Sequence, residues 1–482
     1  MTQLAALLPD CDVPASAGSS AVAAIACDSR AVTRGAVFFA VPGTQADGLS
    51  FASAAIANGA IAVVAERAPS QDIGAPVIVV PDVRAALSRA AARFYPRQPD
   101  VIAAITGTSG KTSVASFVRQ IWAQQGQRAA ALGTTGLVGP DGATSASLTT
   151  PDPITLHRSL DEVARRGVTH LAMEASSHGL DQRRLDAVRL TTAGFTNLSR
   201  DHLDYHRDLE DYFAAKMRLF EDLLKPGQTA VVDADGEFSA RVSEICKRRG
   251  LKLMTTGRNG VDLRLISQSP RPDATDITIE AQGCRLALCL PLAGDFMISN
   301  ALVAAGLCIA AGSDVEASVN ALASLKGAPG RLEKIGTYKD APIFVDYAHK
   351  PDALEKVLAV LRPLATGKLV VVFGCGGNRD AGKRPIMGEI AARLADVVII
   401  TDDNPRSENP ADIRAAIKMA VPDALEIADR AQAIAEAVGL LERGDVLLVA
   451  GKGHETGQIF ADRTVPFSDH EAVRAALQDR TA

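Results

Sequence analysis

The stretch Ile105-Thr106-Gly107-Thr108-Ser109-Gly110-Lys111-Thr112, directly behind the apolar run Val101–Ile105, decides the fold. A short buried strand, a glycine-rich turn and a helix start bring backbone N–H groups and a positive helix end toward phosphate oxygens. In such a loop the lysine, here Lys111, reaches the β/γ-phosphates, and the hydroxyl of Thr112 ligates Mg²⁺. Gly107, Thr108, Ser109, Gly110, Lys111, Thr112 and Ser113 are therefore the candidate triphosphate residues. The usual spacing would start with a glycine where Ile105 stands; the nearest one is Gly107, so the loop is a variant. The expected ligand is ATP or GTP.

Outward from the loop, strand-like runs alternate with Ala-rich helical patterns. They are Ala36–Val41, Ile61–Ala65, Val77–Val80, Leu171–Glu174, Thr192–Thr196, Ala230–Asp233, Ile343–Asp346, Leu369–Phe373, Val397–Thr401 and Val446–Ala450. Continuous Val/Ile runs separated by helices read as parallel strands covered on both faces, an α/β fold repeated in separate sheets. Between Asp262 and Leu290 the apolar/polar alternation reads instead as an antiparallel insert. Pro96–Pro99 and Gly327-Ala328-Pro329-Gly330 punctuate the pattern, which divides the chain into 1–98, 99–328 and 329–482.

With 482 residues the chain is too long for one core and suits about three domains. A net charge of -5 argues against a general nucleic-acid binder. The seven cysteines are scattered without a C-x-x-C pair, which suits a reducing compartment, the cytoplasm. No apolar run approaches the ~20 residues of a membrane span, and the N-terminus lacks the pattern of a signal peptide.

Leu171-Ala172-Met173-Glu174 is a buried strand ending in a carboxylate. Ligands of α/β sheets lie at that edge, so Glu174 is placed to face Mg²⁺ opposite Thr112. The alternative is a carboxylate beside a helix cap supplied by Ser176 or Ser177. Asn197-Leu-Ser-Arg-Asp-His-Leu-Asp-Tyr-His206 holds two histidines and two aspartates, a metal-ligand composition that a zinc hydrolase would also use. His202 is the preferred Mg²⁺ ligand within it. Lys216 in Ala-Ala-Lys-Met-Arg reads, from spacing alone, as a solvated helix lysine.

Four segments occur in order: Gly107-Thr-Ser-Gly-Lys-Thr-Ser113, Met173-Glu-Ala-Ser-Ser-His-Gly-Leu180, the run Asn197–His206, and Ala214-Ala-Lys216. Asn300, Gly330-Arg-Leu-Glu333, Asp346-Tyr-Ala-His349 and Ala450-Gly-Lys-Gly-His-Glu455 continue the series. Together they resemble the Mur ligase family of ATP-dependent amide-bond synthetases, over essentially the whole chain. The resemblance implies a first domain gripping UDP, a central phosphate-loop domain with a parallel sheet binding ATP, and a C-terminal Rossmann-like domain bringing an amino acid. Cys27-Asp-Ser-Arg30 and Gly43-Thr-Gln-Ala-Asp-Gly48 look like the member that extends UDP-MurNAc-L-Ala-D-Glu. It implies a monomer acting on small molecules in cytoplasmic peptidoglycan precursor synthesis.

The implied chemistry is phosphoryl transfer to the D-Glu γ-carboxylate, then attack of an amine on the acyl phosphate. Lys111, Lys216, Glu174 and His202 would be catalytic. Thr112, Glu174, His202 and a CO₂-derived carbamate on Lys216 would hold Mg²⁺. Asn300, Arg331 and Asp346 would contact adenine, phosphate and ribose. Ser29, Thr44, Gln45 and Ala46 would hold UDP, and Thr149, Thr150, Ser176, Gln182 and Arg184 the muramyl dipeptide.

Asp403-Asn404-Pro405-Arg406 follows a strand, and in this family resembles the enzymes that add meso-diaminopimelate. Arg406 and Arg379 would take the distal carboxylate, Glu455 and the Gly451 backbone the distal ammonium. Alternatives are a lysine-adding relative, a folate-glutamate ligase, and a nucleotide-dependent switch or ATPase that makes no bond. The arginine after Asn-Pro speaks against the first and the Asp28-Ser-Arg30 front domain against the second.

Overall fold

The computed structural model describes residues 2–43, 46–144, 148–202, 205–271 and 274–481. Two compact units emerge, one of residues 1–262 with 303–318, the other of 263–302 with 319–482.

The first unit contains a parallel four-stranded sheet of Ala24–Ala26, Ala36–Phe39, Ala60–Ala65 and Val77–Val79. It also contains a larger sheet, in which Ala129–Gly133, His170–Glu174, Val101–Thr106, Thr192–Phe195, Thr229–Asp233 and Lys252–Gly257 run parallel side by side. A hairpin of Gly136–Gly139 and Gly142–Thr144 extends its edge. The phosphate-loop strand is central: Ile105 is paired with Glu174 and Thr106 with Phe195. That register brings three chain segments to one carboxyl edge, where α/β sheets bind ligands.

The second unit opens with the antiparallel meander Leu263–Pro270, Thr275–Ala281 and Cys284–Leu290, which the alternating pattern anticipated. Its main sheet has the order Glu333–Tyr338, Ala341–Asp346, Val446–Ala450, Leu369–Phe373, Val397–Ile400 and Leu425–Glu426. Only the first pair is antiparallel. The buried Val/Ile runs form the strands because both faces are covered by helices and water reaches neither. The strand expected at Ala36–Val41 ends at Phe39, and the one at Val397–Thr401 ends at Ile400.

The helix Pro153–Arg165 starts at the Asp152 cap and buries Leu156, Leu160 and Val163 in the first unit's main core. His157 on the same helix is fully buried, and neither ring nitrogen has a hydrogen-bond partner among the described residues. Burial first, and then the charge of Arg189, lower its pKa to about 4. Folding therefore favours the neutral ring. Its contribution is intact above the ordinary value of 6.5 and is lost as the pH falls from there toward about 4. The full loss is about 3 kcal/mol. His157→Phe removes the titrating ring without removing a bond. The variant's melting temperature should gain on the wild type between pH 7.5 and 4.5; an unchanged gap refutes the assignment.

Candidate active site

The nucleotide end is built on the turn after Thr106. Gly107 and Gly110 have φ of 148° and 87°, and a Cβ on Gly107 would lie 2.0 Å from Thr196 Oγ1. Only glycine fits that crossing. The helix Lys111–Gln124 begins immediately afterwards, so its first N–H groups face the turn. Lys111 Nζ donates to the carbonyls of Gly107 (2.8 Å) and Thr108 (3.0 Å), folding back along the loop it would clamp.

A second segment braces the loop from the neighbouring strand. Thr196 Oγ1 donates to Ser109 O at 2.7 Å. Ser109 N donates to Asn197 Oδ1 (3.0 Å), Thr108 N to Asn197 O (2.9 Å) and Ser199 N to Thr108 Oγ1 (3.0 Å). The bracing residues Thr196 and Ser199 were not singled out from sequence. Threonine and serine close behind a strand are ordinary, and only the pairing of that strand beside Val101–Thr106 reveals them.

Lys216 corrects the reading from spacing. It is 1% exposed, donates from Nζ to Gly107 O at 2.7 Å, and lies 4.3 Å from the centre of the Tyr212 ring. Two lysine ammoniums thus share one loop carbonyl, whose two lone pairs accept both. The Tyr212 hydroxyl donates to Thr108 Oγ1 at 3.3 Å, and burial raises its pKa.

Glu174 is 2% exposed at the end of its strand. Its Oε1 accepts from Thr134 N at 2.8 Å and its Oε2 from Thr134 Oγ1 at 3.3 Å. A Cβ on Gly133 would come within 2.1 Å of Oε1, so the carboxylate occupies the space a side chain there would need. The cap of the following helix is Ser176, whose Oγ accepts from Gly179 N at 3.1 Å; Glu174 is not part of it.

His202 takes φ 53°, in the left-handed region, and its Nε2 lies 3.5 Å from Asp201 Oδ2. Among the described residues no three of His, Cys, Asp and Glu gather to hold an ion. His206 packs its ring against Tyr205 and Tyr212 and turns Nδ1 toward Asp211 at 3.5 Å. Asp204 of that run lies outside the described residues.

The expected dipeptide residues are linked to Glu174 by one hydrogen-bonded chain. Thr149 Oγ1 is 3.0 Å from Thr134 Oγ1. Thr150 Oγ1 donates to Glu174 O (2.9 Å) and accepts from Ser176 N and Ser176 Oγ (3.0 Å each). Arg184 donates to Thr150 O (2.6 Å) and Gln182 Oε1 (2.8 Å). Tyr205 completes the chain: its hydroxyl accepts from Gln182 Nε2 (3.1 Å) and donates to Asp181 Oδ2 (2.6 Å). Of the expected UDP residues, Ser29 opens a 3₁₀ turn and Ala46 is exposed, while Thr44 and Gln45 lie outside the described residues.

In the second unit Asn300 is buried on the helix Asp295–Ala310. Asp346 accepts Leu332 N on Oδ2 (2.6 Å) and Ala348 N on Oδ1 (2.7 Å), holding two loops together. Burial raises its pKa to about 6 against the opposing pull of Arg331 and these two N–H groups. The Arg331 guanidinium carbon is 4.7 Å from the Tyr347 ring centre.

The amino-acid end of the same unit gathers several expected residues. Asn404 Nδ2 donates to Glu455 Oε2 at 2.9 Å. Arg406, at φ 53°, donates from Nη1 to Gly377 O (2.9 Å) and Asn404 O (3.4 Å). Asp403 is buried behind Gly451: a Cβ on that glycine would meet Asp403 Oδ2 at 2.6 Å. Burial raises the Asp403 pKa, against Arg430 and Lys452. Pro405 is buried, and Arg379 stands exposed. Lys452, which sequence reasoning passed over within Gly-Lys-Gly-His, is fully buried here.

Residues 21–95 match the model of the Mur ligase family, catalytic domain; 105–308 match the Mur ligase middle domain; 330–453 match the Mur ligase, glutamate ligase domain. A relative from Bradyrhizobium diazoefficiens, named UDP-N-acetylmuramoyl-L-alanyl-D-glutamate--2,6-diaminopimelate ligase, is 57% identical over 465 residues, 96% of each chain. A solved structure of an enzyme of that name is 35% identical, with a TM-score of 0.73 and full coverage of both chains. The fold also matches a MurF ligase from Thermotoga maritima in complex with ADP, at 20% identity, TM-score 0.63, and coverage of 95% and 98%. With all three domain models matched and relatives this close along nearly its whole length, the chain belongs to the Mur ligase family.

Proposed function

We propose that the chain is the ATP-dependent ligase that adds meso-diaminopimelate to the D-Glu γ-carboxylate of UDP-MurNAc-L-Ala-D-Glu. The observation that carries this reading is 57% identity, over 96% of the chain, to a relative named for that activity. The arginine-bearing loop Asp403–Arg406 against Gly377 supports the choice of amino acid.

A carboxylate is a poor acyl donor, and ATP converts its oxygen into a leaving group. The γ-phosphoryl group passes to the γ-carboxylate oxygen, ADP leaves, and the amine attacks the carbonyl carbon. Phosphate is then expelled, and the amine proton is lost to give the amide. Two anions must first be brought together, so catalysis is mostly positioning and electrostatics. Lys111 and the N–H groups of 107–113 bind the triphosphate. Arg184, Gln182, Thr149, Thr150 and Ser176 hold the dipeptide, and Ser29 with 44–46 holds UDP. Asn300, Arg331 and Asp346 serve the nucleoside and phosphate.

Thr112, Glu174, His202 and Lys216 would hold Mg²⁺, and a donor set rich in hard oxygen suits that ion. The orientation of the Glu174 carboxylate by Thr134 supports the fit. When bound, the ion offsets the charge of phosphate and carboxylate oxygens. Lys216 as its carbamate (amine plus CO₂, losing one proton) would add an anionic oxygen and still retain an N–H for Gly107 O.

We assign the domains as 1–98, 99–328 and 329–482. We propose a monomer in the cytoplasm; the free cysteines and the absence of a membrane-length apolar helix among the described residues are compatible with that.

The test is phosphate release from ATP with the UDP-dipeptide and meso-diaminopimelate, L-lysine or no amine. Release should require diaminopimelate. Equal release with lysine would favour the lysine-adding relative, and amine-independent release would mean an ATPase.

A further inference from the structure

The amino-acid end holds a charged side chain that nothing above has used. Lys452 is fully buried, and an ammonium out of water costs several kcal/mol unless its partners are close and well oriented. Its Nζ donates to Asn404 Oδ1 at 2.9 Å and Glu455 Oε2 at 3.1 Å, and lies 4.0 Å from Asp403 Oδ1. Asn404 is tied on both sides: its Oδ1 also accepts from Ile459 N at 3.0 Å, and its Nδ2 donates to the same Glu455 oxygen at 2.9 Å. Glu455 Oε2 therefore receives two donors, whereas Oε1 accepts no hydrogen bond from the described residues.

Beside these residues lies a second, fully buried ion pair. Arg430 donates from Nε and Nη2 to the two oxygens of Asp469 (2.7 and 2.8 Å), with both side chains at 0% exposure. Lys452 itself lies within 4.0 Å of two carboxylates, Asp403 and Glu455. Together with Asn404 they form one linked group. Glu455, about a third exposed, is its opening to solvent.

We infer that Lys452 is a positioning residue for the distal ammonium of the incoming amino acid: it holds Glu455 by one oxygen and leaves the other for that cation. This rests on the diaminopimelate reading. Lys452 touches no substrate itself and acts through Asn404 and Glu455. Its contribution should consequently be confined to substrates that carry a distal ammonium next to the distal carboxylate.

The experiment compares kcat/KM for meso-diaminopimelate and for 2-aminopimelate, which keeps the carbon chain, the attacking amine and both carboxylates but lacks the distal amine. Lys452→Met should reduce the diaminopimelate-over-aminopimelate ratio at least about tenfold, with KM for ATP within about twofold of wild type. A ratio is insensitive to the folded fraction of a preparation. Lys452→Arg keeps the buried charge but replaces a point donor by a planar fork, and should reduce the same ratio about threefold or more. Equal losses on both amines, leaving the ratio unchanged in either soluble variant, overturn the role and make Lys452 a structural ion. A wild-type enzyme that joins no diaminopimelate overturns the underlying reading instead.

Discussion

Lys216→Met should lower the rate of ligation at least about a thousandfold, with the folded state retained. The side chain is 1% exposed, and methionine fills nearly the same volume, so packing against Tyr212 survives. The bond from Nζ to Gly107 O does not survive, and neither does any means of turning that position into an anionic ligand. Because Lys111 donates to the same carbonyl, the loss reaches the lysine proposed to clamp the triphosphate. Lys216→Arg should not rescue activity, since a guanidinium stays protonated and cannot take up CO₂ at neutral pH. Removing dissolved CO₂ from the wild type should slow it, and bicarbonate should restore it. Turnover of Lys216→Met within tenfold of wild type would refute both the carbamate and the loop-positioning role.

The contrast between Lys216 and Lys111 marks what the sequence carries. Lys111 was legible because strand, glycine turn and helix start are contiguous, and their chemistry depends on local backbone geometry alone. The parallel strands were legible for a similar reason: a strand covered on both faces must be apolar throughout, as Val370-Val371-Val372 is. Lys216 was not legible from spacing. Its neighbours Ala214, Ala215 and Met217 suit any helix, and its burial depends on the helix Leu209–Arg218 meeting a loop a hundred residues earlier. Thr196, Ser199 and Lys452 were missed for the same reason, since each acquires its role through pairing between distant strands or loops. His206 shows the other direction: composition places it among metal-ligand residues, while its Nδ1 turns toward Asp211 at 3.5 Å and its ring packs against Tyr205 and Tyr212.

Arg406→Ala should lower kcat/KM for meso-diaminopimelate by about a hundredfold to ten-thousandfold, leaving KM for ATP nearly unchanged. The guanidinium uses Nη1 on Gly377 O and Asn404 O, and its Nη2 and Nε make no hydrogen bond to the described residues. Those donors form one edge of a planar fork, the geometry that matches a carboxylate bidentately. The backbone at Arg406 is already left-handed and is held by its N–H on Ile459 O at 3.0 Å, so alanine there adds no new strain. Lysine offers no second carboxylate to this fork, and binding it leaves a partly buried cation unmatched. The preference for diaminopimelate over lysine should therefore shrink in Arg406→Ala by about the factor lost on diaminopimelate. Arg406→Lys should fall between, retaining charge but not the paired donors. If the preference is unchanged in Arg406→Ala, the carboxylate is recognised elsewhere, and the exposed Arg379 becomes the residue to replace next.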